Sequence, residues 1–590
     1  MRKMSMLCVA GALSLGCLAA TYYAAPDGTG SAGTEAAPCS LATGIDKVKT
    51  KAHTLILKQG RYLLGGTPIA LNGTDSVAPT VIRGETDNPA DVILDAQGLS
   101  EAMRLNRNIL VSGITIVNGS NASSDLSVRA AGVRVGYNTN VGTLSVVSNC
   151  VVTCCTNEFT SSTKNGSGLV IYGGAVCVYD TGLLVDSIVT NNTAAYRCGG
   201  VVVKNGEVRG CTISDNTAAS GGAGVFIERA SSGLIADSTI SGNDAGSKGG
   251  GGGVACFVDG SSLTLTNCTL SGNLAGYGGG ADIQGGLAKI VDCRCEGNVA
   301  TNAGGGLRVC LASTVDVSGG VFDGNRVINS DSGYGGGCAV YNQNNGGFLA
   351  VTNAVFRNNV SACRGGGFSG DWGTGTSTGK VYAELVGCVV TNNTSRRQGG
   401  GVCVRDQYQD DLATRFVMRN CFVAFNTSGH EGCGVYFVAY ANPIMDSCTV
   451  VSNFCGGSGS GIYHRWGGTV TNCVIAFNMK GSNLETGSYW CLNGNNTPDP
   501  SAYRNCCIWP ALESVFLAAN GCVNADPLFA DPANGDFTLQ PGSPCRNAGV
   551  VEDWMAGATD LAGAKRVSGR GVDMGCYELF VPAGLCISFR

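Results

Sequence analysis

One short motif recurs along most of the chain and constrains the fold more than any other feature of the sequence. It consists of a small residue or Cys, any residue, an apolar residue, two further residues and then Asn, as in Cys211 to Asn216. Successive Asn residues from Asn192 to Asn478 lie 24 to 34 residues apart. Most are followed by a short turn and a glycine run, such as Gly278 to Gly280. A repeat of this length indicates a solenoid of stacked units.

Each repeat contains three short segments typical of strands and has no helical spacing of apolar residues. One segment is the motif, one follows the glycines, as in Val402 to Val404, and one follows a variable loop, as in Leu263 to Leu265. A left-handed β-helix would show shorter coils and a stricter hexapeptide period. We therefore predict an all-β chain: a right-handed parallel β-helix solenoid of about a dozen coils, with an N-terminal cap and a C-terminal module.

Stacking would align equivalent residues in columns along the axis, with coils about 4.8 Å apart. We expect the Asn column at one turn, in left-handed backbone, with neighbouring amides bonded to one another. We expect the glycines at the next corner, where positive φ and close packing are needed.

Cysteine is abundant, with 30 residues in the chain. Many share the first position of the motif, where Ser, Gly or Ala also occur. This interchange favours a small buried side chain, and therefore a column of packed free thiols over disulfides. No C-x-x-C pair has a partner, so neither zinc nor another metal is expected. The column comprises Cys150, Cys211, Cys268, Cys293, Cys388, Cys421, Cys448, Cys473 and Cys506.

Composition and charge exclude several classes of protein. The chain has 91 Gly but only 14 Pro, which is not the composition of collagen, and its 44% hydrophobic content argues against disorder. The net charge of −5 predicts no nucleic-acid partner and no attraction to anionic membranes. Arg2, Lys3 and the apolar stretch from Met4 to Ala20 predict a signal peptide over residues 1–20. A lipoprotein signal ending at Cys17 is the alternative, and no later stretch is long and apolar enough to form a transmembrane segment.

Two stretches resemble known β-helix families. The glycine runs alternating with Phe-x-x-Asn, literal at Phe322 to Asn325 and Phe356 to Asn359, resemble the polymorphic outer-membrane protein repeat of bacterial surface adhesins over about residues 170–480. Tyr22 to Gly30, together with Leu55 to Tyr62, resembles the start of pectate-lyase-like β-helix proteins, where it forms the cap and first coil.

A third stretch, Asp526 to Phe537, followed by Pro541 to Pro544 and Val572 to Glu578, resembles the choice-of-anchor Q module of secreted bacterial β-helix proteins. The resulting organisation is a signal peptide at 1–20, cap and first coils at 21–110, repeats at 111–510, the module at 511–578 and a tail at 579–590. The resemblances imply a secreted or cell-surface (outer-membrane or extracellular) bacterial protein. The tail carries no sorting motif, so the mode of attachment stays open.

Several charged residues suit either catalysis or a solvated loop. Asp410, Asp411 and Glu431, near His430, could serve acid/base chemistry on a glycosidic bond. They fall in loops, and the Asn-Thr-Asp and Arg-x-Lys partner motifs of polygalacturonases are absent, so we interpret them as solvated charges.

A lyase would need clustered Ca²⁺-binding carboxylates and a Lys or Arg base. No acidic column is present, and Asp87, Asp91 and Asp95 resemble a turn and a strand edge. His464 shares a column with Val404 and is expected in the core or at a strand end.

One constellation suits ligand binding. The fourth and fifth residues after the last glycine of four successive runs include aromatic and charged side chains that would stack beside one another. Such groups suit sugar rings and their hydroxyls or carboxylates, although loop aromatics can also simply cover an apolar edge. The candidate glycan-binding residues are Trp372, Arg405, Asp406, Tyr440, Arg465 and Trp466.

We therefore predict an exported β-helix protein acting as an adhesin or glycan-binding scaffold, without catalysis or cofactor. Its expected partner is a polysaccharide or a host or cell-surface glycan. A polysaccharide lyase or glycoside hydrolase of the pectate-lyase-like superfamily is the first alternative, and a structural surface-layer component is the second.

Overall fold

The computed structural model describes residues 19–73, 78–121, 130–136, 144–160, 173–257, 260–341, 347–371, 381–405, 415–438, 442–465, 467–484, 489–492, 500–510, 520–567 and 571–579. The chain winds into a parallel β-helix in which each coil adds one strand to sheet 1, sheet 2 and sheet 3, and many coils add a short strand to sheet 4 between sheets 2 and 3. The three long sheets contain 17, 16 and 15 strands, more than the dozen coils predicted, because the first coils form without the clear motif.

Sheet 1 precedes the Cys column and contains the strands Thr21–Ala24, Thr54–Leu57, Thr80–Gly84, Ile109–Ser112, Ser145–Ser148, Gly182–Val185, Glu207–Arg209, Ser232–Ala236, Ser262–Thr266, Leu287–Val291, Ser313–Ser318, Gly347–Thr352, Val381–Val386, Arg415–Arg419, Ile444–Asp446, Thr469–Thr471 and Tyr503–Arg504.

Sheet 2 contains the strands of the motif, namely Gly60–Leu63, Val92–Asp95, Thr115–Val117, Val151–Thr153, Ile188–Thr190, Thr212–Ser214, Thr239–Ser241, Thr269–Ser271, Arg294–Glu296, Val321–Asp323, Val355–Arg357, Val389–Thr391, Phe422–Ala424, Thr449–Val451, Val474–Ala476 and Cys507–Trp509.

Sheet 3 follows the glycine runs and contains Ile69–Leu71, Met103–Leu105, Ala130–Val135, Gly174–Tyr179, Val201–Lys204, Val225–Ile227, Val254–Phe257, Ala281–Gln284, Leu307–Cys310, Cys338–Tyr341, Phe368–Asp371, Val402–Arg405, Val435–Val438, Ile462–Arg465 and Tyr489–Leu492.

Sheet 4 is short and has two sections, Thr156–Asn157, Thr193–Ala194 and Thr217–Ala218, then Leu274–Tyr277, Val299–Ala303, Arg326–Val327, Val360–Ser361, Thr394–Ser395, Thr427–Ser428, Phe454–Cys455, Met479–Lys480 and Asn483–Leu484. Phe529–Asp531 and Asp536–Leu539 form a separate antiparallel pair. The α-helix Leu41–Val48 packs Gly44 against Leu55 at the open end of the first coil. Single 3₁₀ turns span Pro89–Asp91, Pro500–Ala502, Pro532–Asn534 and Asp553–Met555.

Alternate residues of every long sheet point inward and form one continuous apolar core. In sheet 2 the inward column runs through Ile213, Ile240 and Leu270 to Phe322 and Phe356. The two phenylalanines stack with ring centroids 4.8 Å apart and an interplanar angle of 7°. Stacking identical residues therefore buries the apolar face that a single coil would leave exposed.

The Asn column forms the predicted ladder. Asn298 donates from Nδ2 to Asn325 Oδ1 at 2.9 Å, and its own Oδ1 accepts from the Asn273 amide at 2.9 Å. Each ladder Asn from Asn192 to Asn478 is fully buried. The expectation of left-handed backbone at these residues is wrong. The residue just before takes that conformation, as at Asp215 (φ 55°) and Gly242 (φ 64°), so the amide itself can turn inward.

The glycine corner combines two requirements. The first glycine of a run has positive φ, as at Gly278 (57°) and Gly304 (64°). A Cβ on Gly279 or Gly280 would lie 2.6 or 2.5 Å from a carbonyl oxygen of the next coil, so side chains are excluded there.

The Cys column holds free thiols at all nine predicted positions, which confirms the packed-thiol interpretation. The Cys268 amide donates to Cys293 Sγ at 3.4 Å, and the Cys211 amide donates to Ser238 Oγ at 3.1 Å. Ser and Cys therefore play the same role, which explains their interchange. The disulfide in the described part of the chain, Cys433–Cys455, lies outside this column.

The C-terminal segment folds back onto the last coils. Phe529, Phe537 and Met574 pack on outward residues of sheet 2, among them Phe422 and Val474. Polar contacts fix the segment in register, since Asn472 Oδ1 accepts from the Val550 amide at 2.8 Å and Thr449 Oγ1 accepts from the Cys576 amide at 3.0 Å. We call residues 520–567 and 571–579 the C-terminal module.

Candidate functional site

The outer face of sheet 3 carries a tyrosine–arginine patch in the last coils. Because side chains alternate along a strand, Val435 and Phe437 enter the core while Tyr436 points outward. Strand pairing aligns Tyr436 with Tyr463. Their rings stack with centroids 5.2 Å apart and an interplanar angle of 14°, which leaves a partly exposed aromatic strip.

A charged column runs beside the tyrosines. Pairing places Arg405 next to Val438, and Val438 next to Arg465, so both arginines belong to the column that the sequence predicted. Arg405 and Arg465 are half-buried. Of the other candidate glycan-binding residues, Trp372, Asp406, Tyr440 and Trp466 lie outside the described residues.

Burial raises the pKa of Tyr436 and of Tyr463, more than the nearby arginines lower it. Both phenols are therefore protonated at neutral pH and able to donate hydrogen bonds.

A row of polar side chains forms the rim of this face, one residue before each glycine corner. Arg364 lies over the Tyr334 ring at 5.9 Å and donates from Nε to Gln398 Oε1 at 3.2 Å. Gln398 Nε2 donates to Glu431 Oε2 at 3.2 Å. Glu431 is half-buried and close enough to influence the pKa of Tyr436, so it belongs to the patch and is not simply a solvated loop charge.

The same face carries a second, cationic cleft in earlier coils, with a volume of about 450 Å³. Arg308 makes two 2.8 Å hydrogen bonds to Asp282, and both side chains are almost fully buried. The guanidinium of Arg308 also lies 4.1 Å from the centre of the Tyr277 ring. Arg197, Lys248 and Phe257 also line the cleft, so outward charge and aromaticity recur along sheet 3.

Unlike Glu431, two other residues considered for catalysis lie away from the outer face of the patch. His464 pairs with Phe437 in the inward column and is buried, as predicted for a core histidine. Asp95 accepts from Arg61 at 2.6 Å and from Asn118 at 2.9 Å in an early coil. Asp410 and Asp411 lie outside the described residues. Within the described ranges, no group of three or more His, Cys, Asp or Glu side chains could hold a metal ion.

Sequence reasoning missed Tyr436 and Tyr463. Both are the second residue after the last glycine of a run, an outward position that the alternation of Val435, Tyr436 and Phe437 already indicated. The sequence pattern pointed instead to the fourth and fifth residues, where the strand enters its loop.

Comparison with known proteins agrees with this architecture. A family model described as "Right handed beta helix region" matches residues 186–379, which gives the hand of the solenoid. The chain is thus a right-handed parallel β-helix protein. No curated protein matches it. No helix in the described segments has the length and apolarity needed to cross a membrane.

The solved structures that are similar to the chain include two lyases. One is the pectate lyase Pel9A, with 14% identity, 95% of this chain and 96% of that chain covered, and a TM-score of 0.23. The other is a mannuronic acid specific polysaccharide family 6 lyase from human gut microbiota, with 11% identity, 68% and 87% covered, and a TM-score of 0.35. At identities and TM-scores this low, neither likeness informs the activity of this chain.

Proposed function

We propose that this chain is an exported, non-catalytic β-helix protein that binds glycans through the tyrosine–arginine patch on sheet 3. The stacked Tyr436–Tyr463 pair is the observation that carries the proposal. Aromatic faces pack against sugar rings, and the flanking Arg405 and Arg465 can donate forked hydrogen bonds to hydroxyls or carboxylates. Glu431 on the rim supplies an acceptor.

Further features support export and display on a bacterial surface. The disulfide Cys433–Cys455 is typical of oxidising compartments outside the cytosol. The stacked pair Phe322–Phe356 occupies the two literal Phe-x-x-Asn copies, as expected of polymorphic outer-membrane protein repeats. The choice-of-anchor Q-like stretch belongs to the module that packs on the last coils. We infer an adhesin-like role from these features together.

The test is retention and cleavage of a panel of acidic and neutral polysaccharides by the purified chain. We expect binding without cleavage, weakened at least about tenfold in the double variant Tyr436→Ala/Tyr463→Ala, since two aromatic contacts of about 1 kcal/mol each are lost. The matched control is Tyr382→Ala, because Tyr382 stacks on Phe348 in the same way on the outside of sheet 1. This control should bind like the wild type.

Three results would contradict the proposal. Unsaturated or reducing-end products would identify a lyase or hydrolase instead. Unchanged retention in the double tyrosine variant would move the binding surface elsewhere, with Trp372→Ala and Trp466→Ala as the next variants to examine. Absence of binding to every polysaccharide would favour a structural surface-layer component.

A further inference from the structure

A cleft of about 690 Å³ lies where the C-terminal module ends on the outside of the β-helix. Val355 and Val389, outward residues of sheet 2, form an apolar floor. One wall is made by outward residues of sheet 1, and the other by Trp554 and Tyr577 of the module. The cleft lies at the corner between sheets 1 and 2 and is separate from the sheet 3 patch. Its size is ordinary for a small-ligand site.

The aromatic wall is held in place by a buried carboxylate. Trp554 Nε1 donates to Asp446 Oδ2 at 2.7 Å. Asp446 is buried and also accepts from Ser447 Oγ at 2.9 Å and from Asn472 Nδ2 at 3.2 Å. The indole is therefore fixed before any ligand arrives, which lowers the entropic cost of binding.

Two polar atoms in the cleft are buried without a hydrogen-bond partner among the described residues. One is the acceptor Asn420 Oδ1, and the other is the donor Arg419 Nε. Asn420 is only 5% exposed, and its Nδ2 is held by Thr559 O at 3.1 Å, so the amide cannot simply turn to solvent. Buried polar atoms are almost always bonded, so an unpaired donor and an unpaired acceptor on adjacent residues of the lining point to a ligand that supplies both partners.

The lining contains two acidic residues and one basic residue, Glu384, Asp560 and Arg419, and both acidic side chains are already engaged within the protein. Arg419 Nη1 pairs with Glu384 Oε1 at 3.3 Å. The carboxylate of Asp560, also in the lining, already accepts from the backbone amides of Ala564 and Glu578, each at 2.7 Å. A neutral ligand with adjacent hydroxyl groups meets these requirements.

We propose that this cleft binds a neutral saccharide. One hydroxyl donates to Asn420 Oδ1 and a neighbouring one accepts from Arg419 Nε, while the sugar ring packs against Trp554 and Tyr577. The site is independent of the glycan-binding patch on sheet 3, so each proposal can fail without the other.

The test is calorimetric titration of the full chain with short oligosaccharides of glucose, galactose, mannose and N-acetylglucosamine, and with triglycine as a peptide probe. We expect one of the oligosaccharides to bind. Arg419→Lys keeps the charge opposite Glu384 but lacks the Nε donor and should weaken binding about tenfold. Val355→Trp fills the floor from the β-helix side, removes no contact of the module and should abolish binding.

The matched control is Arg357→Lys, because Arg357 Nε makes a similar ion pair with Asp323 at 2.8 Å beyond the cleft. It should bind like the wild type, and thermal unfolding should confirm that all variants are folded. The proposal would be overturned if no oligosaccharide bound or if triglycine alone bound. It would also be overturned if Arg419→Lys and Val355→Trp both bound the oligosaccharide with wild-type affinity. Loss of oligosaccharide binding in Tyr436→Ala/Tyr463→Ala would also overturn it, since the sugar would then occupy sheet 3.

Discussion

The outer face of sheet 2 differs between the middle and the last coils, although its inner face is the same throughout. In the middle coils most of the outward residues are polar and in contact with solvent, as at Thr212, Ser214 and Thr239. In the last coils the same columns hold Phe422, Val451 and Val474 among others, all buried. Strand pairing connects the two regions without a change of register between them.

The difference follows from what covers each region. The C-terminal module lies on the last coils, where Phe529 and Phe537 meet the outward apolar residues. The middle coils have no such cover among the described residues, so polar side chains are favoured there. Inward residues therefore depend on the repeat of the solenoid, whereas outward residues depend on which segment of the chain, if any, packs against them. The saccharide cleft lies at the boundary, where Val355 and Val389 are apolar but only partly covered.

The largest expected effect comes from a charge placed under the module. Val474→Lys should destabilise the last coils by roughly 3 kcal/mol or more, because the ammonium would be buried without a partner. Thr239→Lys, in the same column of the middle coils, should change stability by about 0.5 kcal/mol or less. Hydrogen exchange of the individual strands measures the loss of stability in both variants. Equal losses would contradict the proposed difference between the covered and the solvent-exposed coils.

The second prediction concerns the Asn ladder, which runs through both the middle and the last coils. Asn298→Ala and Asn453→Ala should each cost roughly 3 kcal/mol, because the Asn298 side chain makes four buried hydrogen bonds and the Asn453 side chain makes five. The two costs should agree within about 0.5 kcal/mol, because the described contacts of the module are with outward residues of sheet 2 and the ladder faces inward. Chemical denaturation followed by hydrogen exchange checks this, and a much smaller cost at Asn453 would show that the two interiors differ.

A smaller effect is expected at the contact that fixes the module. Trp554→Phe retains an aromatic ring but removes the donor to the buried Asp446 carboxylate. We expect a loss of about 1.5 to 3 kcal/mol in the stability of the module, the value of a hydrogen bond to a charged group. Limited proteolysis should then cleave the module faster while the middle coils stay intact. Simultaneous loss of protection in the middle coils would argue that the two regions unfold together.

The last prediction is a pH dependence confined to the module. Burial raises the pKa of Glu578 to about 8, more than the adjacent Arg566 guanidinium lowers it. The folded module therefore binds a proton that the unfolded chain releases near pH 4.5, so its stability should fall as pH rises from about 4.5 to 8. Thermal unfolding across this range should show the decline in the wild type. Glu578→Gln should flatten it, and an unchanged slope in this variant would assign the dependence to another group.

The columns of the β-helix could be predicted from the sequence because each is a repeated requirement. Asn325, Gly279 and Cys268 recur at fixed positions, and a residue that recurs in a solenoid meets the same neighbours in every coil. The sequence predicts left-handed backbone at the ladder Asn, whereas the structure has it at the residue before. The prediction is off by one residue because Asn tolerates left-handed backbone and is equally suited to a buried ladder. Only the hydrogen bonds distinguish the two roles.

The sequence by itself determined the architecture: strands, corners, the Asn ladder and the free-thiol column, all of which depend on contacts between equivalent residues of adjacent coils. Only the tertiary structure decided what meets the outside of the coils. Trp554 and Asp446 are 108 residues apart and Asn420 and Thr559 are 139 apart, so no repeat relates them. Contacts of this kind depend on how the module folds back across several coils, and a pattern with the period of one coil carries no information about them.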